Sequence, residues 1–119
     1  MKFLVVDDSS VDRHLLTSLL ESLGHQVDAC SDSKEAMQML TDRDYASVFL
    51  DIVMPEQDGY KFLREVRSNQ KTAKQHVIFC STKKTPLEID YGMKRAGADD
   101  YLIKPVTRET VEQALQKVR

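Results

Sequence analysis

The strongest constraint on the fold is a fivefold alternation of short apolar runs with helical patterns. The apolar runs predict strands over residues 2–6, 26–30, 45–50, 76–80 and 99–103. After each run, apolar residues recur at spacings of three and four, which is typical of amphipathic helices. Strands that alternate with helices through short links favour one parallel sheet with helices on both faces.

The ends of the predicted helices carry ordinary start and stop residues. Gly24 and Gly97 are predicted to end the first and fourth helices. Asp58 and Thr107 are predicted to cap the third and fifth helices, and Pro86 suits the first turn of the fourth. The helices are therefore predicted over residues 11–23, from a cap at 31–33 to about 43, 59–68, 86–96 and from 107 towards the C-terminus.

Length and charge limit the classes of function. The 119 residues predict a single domain, 1–119, and the net charge of −2 gives no reason to expect nucleic acid or an anionic membrane as a partner. The apolar runs are too short to span a bilayer, and no signal peptide is visible after Met1, so a cytoplasmic location is predicted. Cys30 and Cys80 are interpreted as small buried residues of a reducing compartment, and not as a disulfide or metal pair.

Polar side chains follow four of the five predicted strands. Asp7 and Asp8 come after the first, Asp51 after the third, Ser81 after the fourth and Lys104 after the fifth. In a parallel sheet these strand ends meet at one edge, which is where ligands bind. If the first and third strands are adjacent, three carboxylates therefore lie in one small crevice.

Three carboxylates in one crevice repel one another, and each loses hydration. A divalent cation relieves both problems, and oxygen ligands without His or Cys suit Mg²⁺ better than Zn²⁺. The ammonium of Lys104 and the hydroxyl of Ser81 add what phosphoryl transfer requires, and a carboxylate can itself be the nucleophile. On the residues alone, other roles stay open: Asp7 and Asp8 as helix-capping charges, and Asp51 as a salt-bridged structural acid.

Four motifs make the whole chain resemble a response-regulator receiver domain of two-component signalling. They are LVVDDS, DIVMPEQDG, VIFCS and GADDYLIKP, in this order and spacing. The resemblance implies the flavodoxin-like fold, a doubly wound parallel sheet of five strands in the order 2-1-3-4-5. Within the family, the run CSTKK and the polar link before it are most similar to stand-alone receivers of pilus-motility and chemotaxis-like systems.

The resemblance implies a metal site and a phosphoacceptor. Asp51 would accept a phosphoryl group from the phosphohistidine of a partner histidine kinase. Asp8 would bind Mg²⁺ directly, together with Asp51 and the backbone carbonyl of Val53, and Asp7 would contribute indirectly.

It also implies how the phosphoryl group is sensed. Lys104 would pair with that group, and Ser81 would hydrogen-bond to it when the loop after the fourth strand moves inward. Tyr101 matches the family's aromatic switch, whose rotamer follows this movement. Pro105 follows the lysine through a peptide bond that is often cis in the family.

The implied function is a phosphorylation-activated switch, acting as a monomer or weak dimer. Its changed surface, expected on the fourth helix, fifth strand and fifth helix, would bind a downstream protein. A phosphate sink and a non-phosphorylated adaptor stay open as alternatives. A phosphatase with an aspartyl nucleophile is disfavoured because Val53 stands where such an enzyme needs its second acid. No enzymatic activity is therefore expected beyond phosphorylation and dephosphorylation of the chain itself.

The sequence departs from the family pattern in three places. Ser81 replaces the commoner threonine, which preserves the hydroxyl. Thr82 stands where many members have alanine, and its larger side chain is expected to alter the lifetime of the phosphoryl group. The segment between Ser81 and Lys104 is one residue longer than in many members, which predicts an offset of the fourth helix.

Overall fold

Five parallel strands, each followed by a helix, form the architecture that the alternation predicts. The structure is a computed structural model that describes residues 1–54 and 57–118. The strands are β1 (Lys2–Val6), β2 (Gln26–Cys30), β3 (Ser47–Asp51), β4 (Val77–Ser81) and β5 (Asp100–Ile103). The helices are α1 (Ser10–Ser22), α2 (Ser33–Asp42), α3 (Gly59–Ser68), α4 (Pro86–Asp90, continued by a π-helix over Tyr91–Arg95) and α5 (Arg108–Leu115). Pro55 and Glu56 of the motif DIVMPEQDG lie outside the described residues.

The strand order is β2-β1-β3-β4-β5, and every pairing is parallel, which confirms the predicted fold. β1 lies between β2 and β3. Val6 at the end of β1 pairs with Leu50 of β3, so Asp7 and Asp51, the next residues of the two strands, emerge side by side. The register thus delivers two carboxyl groups to the same edge of the sheet.

Both faces of the sheet are buried because successive strand side chains point in opposite directions. One face carries Leu4, Val6, Val48, Leu50 and Phe79, and is covered by α2 and α3. The other carries Phe3, Val5, Phe49, Ile78 and Leu102, and is covered by α1 and α5. The near-continuous apolar strands predicted from the sequence are the consequence of this double cover.

The bounds of β3 differ from the prediction. The strand was expected over 45–50 and begins two residues later, at Ser47. Asp51 belongs to it, because its backbone still pairs with Cys80 of β4. The carboxyl group of Asp51 is therefore held by a residue of the sheet itself, and not by the loop that follows.

The predicted capping and packing residues occupy the expected places. The Asp58 side chain accepts a hydrogen bond from Lys61 N at the start of α3, and Thr107 caps α5. Gly24 and Gly97, with φ of 91° and 88°, follow the ends of α1 and of the π-helix. Cys30 and Cys80 are buried and free. Across residues 1–54 and 57–118, no helix has both the length and the hydrophobicity needed to cross a membrane.

The fourth helix contains a π-turn that the apolar periodicity did not predict. Ala96 N donates to Tyr91 O at 2.9 Å, which is the five-residue spacing of a π-helix. Such a turn holds more residues than an α-turn. Gly92 lies in this turn, and a Cβ atom there would be 3.2 Å from the ring of Tyr101.

Gly59 closes the chain back onto the end of β3. Its N–H donates to Ile52 O at 2.7 Å. A Cβ atom on Gly59 would lie 2.4 Å from Asp51 O and 2.8 Å from Ile52 Cα. Both neighbours are backbone atoms, which cannot turn aside as a flexible side chain can. The start of α3 is thus fixed against the residue that carries the central carboxyl group.

We expect Gly59→Ala to destabilise the protein by about 1–3 kcal/mol, because the added methyl overpacks this contact. Helix propensity alone predicts the opposite sign, a gain of roughly 1 kcal/mol. Urea unfolding measures the difference. Lys61→Ala, an exposed position of the same helix, is the control and should change stability by no more than about 0.5 kcal/mol. A more stable Gly59→Ala variant would contradict the packing described here.

Candidate functional site

Asp7 is the first residue after β1, and its side chain is anchored on both oxygens. Oδ1 accepts a hydrogen bond from Ser9 N at 2.9 Å, and Oδ2 accepts one from Lys104 Nζ at 2.8 Å. The guanidinium of Arg13 donates to the backbone oxygen of Asp7 at 2.8 Å. Asp7 is only 5% exposed, so these bonds fix a carboxylate in a largely dry position.

Lys104 connects three carboxylates that come from different elements. Its Nζ lies 2.8 Å from Asp7 Oδ2, 3.0 Å from Asp12 Oδ2 and 3.3 Å from Asp51 Oδ1. The residue follows β5, and its backbone N–H donates to Ser81 O at 2.8 Å. The peptide bond to Pro105 is cis. The strand ends thus bring the predicted lysine and the predicted acids together.

Asp7, Asp8 and Asp51 form a group of oxygen donors that fits a divalent cation. One carboxylate oxygen from each lies within 4.8 Å of the others. Asp7 and Asp51 are buried, whereas Asp8 is exposed and leaves the group open to water. Few carboxylates with room for water are what Mg²⁺ prefers, because it keeps part of its hydration shell. The chemistry of these donors therefore suits Mg²⁺.

Burial and mutual repulsion shift the protonation of this cluster. Burial, followed by the charge of Asp7, raises the pKa of Asp51 to about 6, although Lys104 acts in the opposite direction. For Lys104, burial alone would lower the pKa, but its bonds to Asp7 and Asp12 and the charge of Asp51 raise it above the ordinary value. The ammonium therefore stays charged, whereas ionisation of Asp51 is less favourable than that of an exposed carboxyl group.

Ser81 and Tyr101 both contact the loop that follows β4. The buried Ser81 hydroxyl accepts a hydrogen bond from Lys83 N at 3.1 Å, and Tyr101 Oη donates to Lys83 O at 2.7 Å. Tyr101 is half-buried, and its ring makes an edge contact with Phe79. The two predicted switch residues are thus joined through the backbone of one loop residue.

Val53 and Thr82, which lie close in sequence to Asp51 and Ser81, are exposed. Val53, two residues after Asp51, exposes 61% of its surface. Thr82, directly after Ser81, is also exposed. Its side chain is thus in contact with solvent in the structure.

Asp12 is the site residue that sequence reasoning missed. It lies in the first turn of α1, where acidic residues are ordinary because they face the positive end of the helix dipole. A signal was nevertheless available. Asp12 stands one turn before Leu16 and two turns before Leu20, the buried residues of α1, so it continues the inward stripe towards the strand ends.

Comparison with known proteins agrees with this geometry. The family model for the response regulator receiver domain matches residues 3–116. Protein PilH of Pseudomonas aeruginosa is 34% identical over 117 residues, covering 98% of this chain and 96% of its own. The crystal structure of chemotaxis protein CheY4 of Vibrio cholerae superimposes with a TM-score of 0.90 at 28% identity, covering 99% of this chain and 98% of its own.

A third similar structure carries a metal ion. It is the receiver domain of a sensor histidine kinase from Pseudomonas aeruginosa, with a magnesium ion coordinated in its active-site cleft. It is 28% identical, with a TM-score of 0.86, and the match covers 98% of this chain and 95% of that one.

We expect Asp51→Asn to stabilise the folded protein by about 1–2 kcal/mol at about pH 7.5 without divalent cations. The pKa of Asp51 in the folded state, about 6, exceeds that of an unfolded carboxyl group, so its ionisation opposes folding above that pH. This unfavourable contribution fades as the pH falls through 6 towards about 4, so the gain should shrink on acidification. Urea unfolding in a chelator at several pH values measures it.

The control is Asp58→Asn, which replaces an exposed carboxyl group by an amide that also caps helices. It should leave stability nearly unchanged over the same pH range. A loss of stability in Asp51→Asn at neutral pH, or a gain independent of pH, would show that ionisation of Asp51 does not oppose folding.

Proposed function

This chain belongs to the family of response regulator receiver domains, and from that premise we propose that it is a switch controlled by phosphorylation of Asp51. It is a receiver domain of two-component signalling. The observation that carries the proposal is the position of the Asp51 carboxyl group, at the end of β3 and 3.3 Å from the ammonium of Lys104. The oxygens of Asp7 and Asp8 lie beside it.

The proposed reaction is phosphoryl transfer from the phosphohistidine of a partner kinase. A carboxylate oxygen of Asp51 attacks the phosphorus, and the bond between phosphorus and the imidazole nitrogen of the donor breaks. The imidazole leaves with that electron pair as the neutral ring, because its other nitrogen already carries a proton in the donor, while Asp51 becomes an acyl phosphate. The attacking form is the ionised carboxylate, so a pKa of about 6 keeps most of Asp51 reactive at neutral pH.

A magnesium ion would be held by Asp8, Asp51 and the backbone carbonyl of Val53, with Asp7 contributing indirectly. When bound, the ion supplies positive charge that offsets the negative charge of the carboxylate and of the incoming phosphoryl group. The oxygen-only donors described above support this assignment. So does the magnesium ion in the cleft of the Pseudomonas kinase receiver domain.

The remaining site residues would bind and report the phosphoryl group. Lys104 would pair with its oxygens, since a fixed ammonium stabilises added negative charge without reorganisation. Ser81 would donate a hydrogen bond to it. The hydroxyl oxygen accepts a bond from Lys83 N, and that bond leaves the O–H able to donate. Tyr101 Oη donates to the carbonyl oxygen of Lys83, so a movement of this loop would also change the hydrogen bond and orientation of the Tyr101 side chain.

We propose that the signal leaves through the surface formed by α4, β5 and α5. Three large apolar side chains of α4, its π-turn and β5 are exposed: Leu87 by 80%, Tyr91 by 42% and Ile103 by 42%. Exposed apolar side chains on neighbouring elements are typical of surfaces that bind other proteins. Phosphorylation would then shift the population between two arrangements of this surface, and a downstream protein would bind one of them.

Catalytic turnover of other phosphate esters is not part of the proposal. The valine at position 53 offers no proton for a leaving group, so self-phosphorylation and self-dephosphorylation are the expected chemistry. A phosphate sink would use the same first step and differ only in having no downstream partner.

We expect incubation with acetyl phosphate and Mg²⁺ to add one phosphoryl group to the protein, and Asp51→Asn to abolish the addition. Intact-protein mass spectrometry provides the measurement. Asp58→Asn is the matched control, with the same chemical change seven residues along the chain, and should be phosphorylated normally. A phosphoryl group that still appears on Asp51→Asn would place the acceptor elsewhere.

We expect Asp8→Asn to weaken Mg²⁺ binding. Loss of a direct ligand should cost at least as much as loss of an outer-shell partner, about 10- to 100-fold in affinity. Isothermal titration calorimetry of the unphosphorylated protein reports this directly, and Asp58→Asn should bind as the parent does. If the Asp8→Asn variant retains the affinity of the parent, Asp8 is not a ligand.

A further inference from the structure

We propose that Asp12 is a positioning residue that holds the ammonium of Lys104 in the unphosphorylated protein. It thereby opposes the movement of this ammonium towards a phosphoryl group on Asp51. The inference rests on the proposed function, because it concerns the equilibrium between the unphosphorylated and phosphorylated states. Asp12 does not touch the phosphoryl acceptor in this scheme. It acts through Lys104.

Asp12 is held in place by the first turn of α1. Its backbone N–H donates to the capping oxygen of Ser9 at 3.3 Å, and Ser9 N in turn donates to Asp7 Oδ1. The Asp12 carboxylate reaches Lys104 Nζ at 3.0 Å, closer than Asp51 does. The start of α1 therefore presents a further carboxylate to the lysine.

The ammonium of Lys104 has no spare donor. A lysine ammonium carries three N–H groups, and the three carboxylates of Asp7, Asp12 and Asp51 accept one bond each. Phosphorylation would turn the Asp51 carboxylate into an acyl phosphate, so the N–H bonded to Asp51 would pass to the phosphoryl group. That group carries more negative charge than the carboxylate and attracts the ammonium more strongly. Movement of Lys104 Nζ towards it would lengthen a bond to Asp7 or to Asp12.

Exposure indicates which bond is released. The side chain of Asp7 is 7% exposed, whereas that of Asp12 is 42% exposed. Releasing a carboxylate from an ion pair costs much free energy when the carboxylate is buried, and little when water can replace its partner. The bond to Asp12 is therefore the one that the phosphorylated state gives up, and its loss reduces the stability of that state.

Removing the charge of Asp12 should consequently favour the phosphorylated arrangement. A partly exposed ion pair changes an equilibrium constant by about two- to fivefold. Asp12→Asn should tighten the binding of beryllofluoride, a stable stand-in for the phosphoryl group, by this factor in the presence of Mg²⁺. An NMR titration of the whole chain measures the affinity.

A second explanation has to be separated from this one. The negative charge of Asp12 also repels a phosphoryl group directly, without any help from Lys104. A double-mutant cycle with Asp12→Asn and Lys104→Met, measured by urea unfolding without Mg²⁺ or beryllofluoride, isolates the pair. Coupling of about two- to fivefold in the unfolding constant is expected if the two side chains interact as proposed. No coupling overturns the proposal, because any tightening then comes from direct repulsion.

A second measurement serves if the double variant is too unstable to unfold cooperatively. The NMR resonances of the Lys104 ε-methylene group should shift in Asp12→Asn relative to the parent. Glu21→Gln, the same change of charge at an exposed position near the other end of α1, should leave them in place. Unshifted resonances in Asp12→Asn overturn the proposal in the same way as an absent coupling.

The outcomes also separate this inference from the proposed function. If the parent binds beryllofluoride with Mg²⁺ and Asp12→Asn binds it equally or more weakly, the role of Asp12 is refuted and the switch stands. If the parent binds none and takes up no phosphoryl group from acetyl phosphate, the proposed function fails first and the inference falls with it.

Discussion

One lysine ammonium surrounded by carboxylates is the interaction on which the rest of this site depends. Lys104 contacts acids from the end of β1, the start of α1 and the end of β3. Without a positive charge at this point, the sheet edge would gather buried like charges that cannot all ionise cheaply. With it, the carboxylates around Lys104 still outnumber the single ammonium. That excess of negative charge favours a divalent cation.

The site is assembled from the sheet register, and the loops add to it. Pairing of Val6 with Leu50 sets Asp7 next to Asp51, and pairing of Ser81 with Ile103 places Lys104 beside the end of β4. Gly59 then brings the chain back against Asp51 so closely that no side chain fits between them. Geometry that arises from backbone pairing is stiff, so the carboxyl group of Asp51 is held in a fixed place.

Much of this could be predicted from the sequence, because strand order and strand ends follow from apolar patterns. The alternation of runs and helices predicted the sheet, and the polar residues after each run predicted the meeting of Asp7, Asp8, Asp51 and Lys104. Asp12 could not be predicted with the same rule, since it lies on a helix, where an acid in the first turn needs no further reason. The π-turn was also missed, because apolar spacing predicts a helix and does not specify whether one of its turns is wider than an α-turn.

The π-turn of the fourth helix has a consequence for how the helix rests on the sheet. Gly92 lies within this turn, and a Cβ atom there would be 3.2 Å from the rings of both Phe79 and Tyr101. The helix therefore contacts these rings with its backbone, which has no rotamer to change. If the ring of Tyr101 turned, this part of the helix would have to shift with it or lose the contact. The partly exposed ring of Tyr91, next to Gly92 in the chain, would move with that backbone.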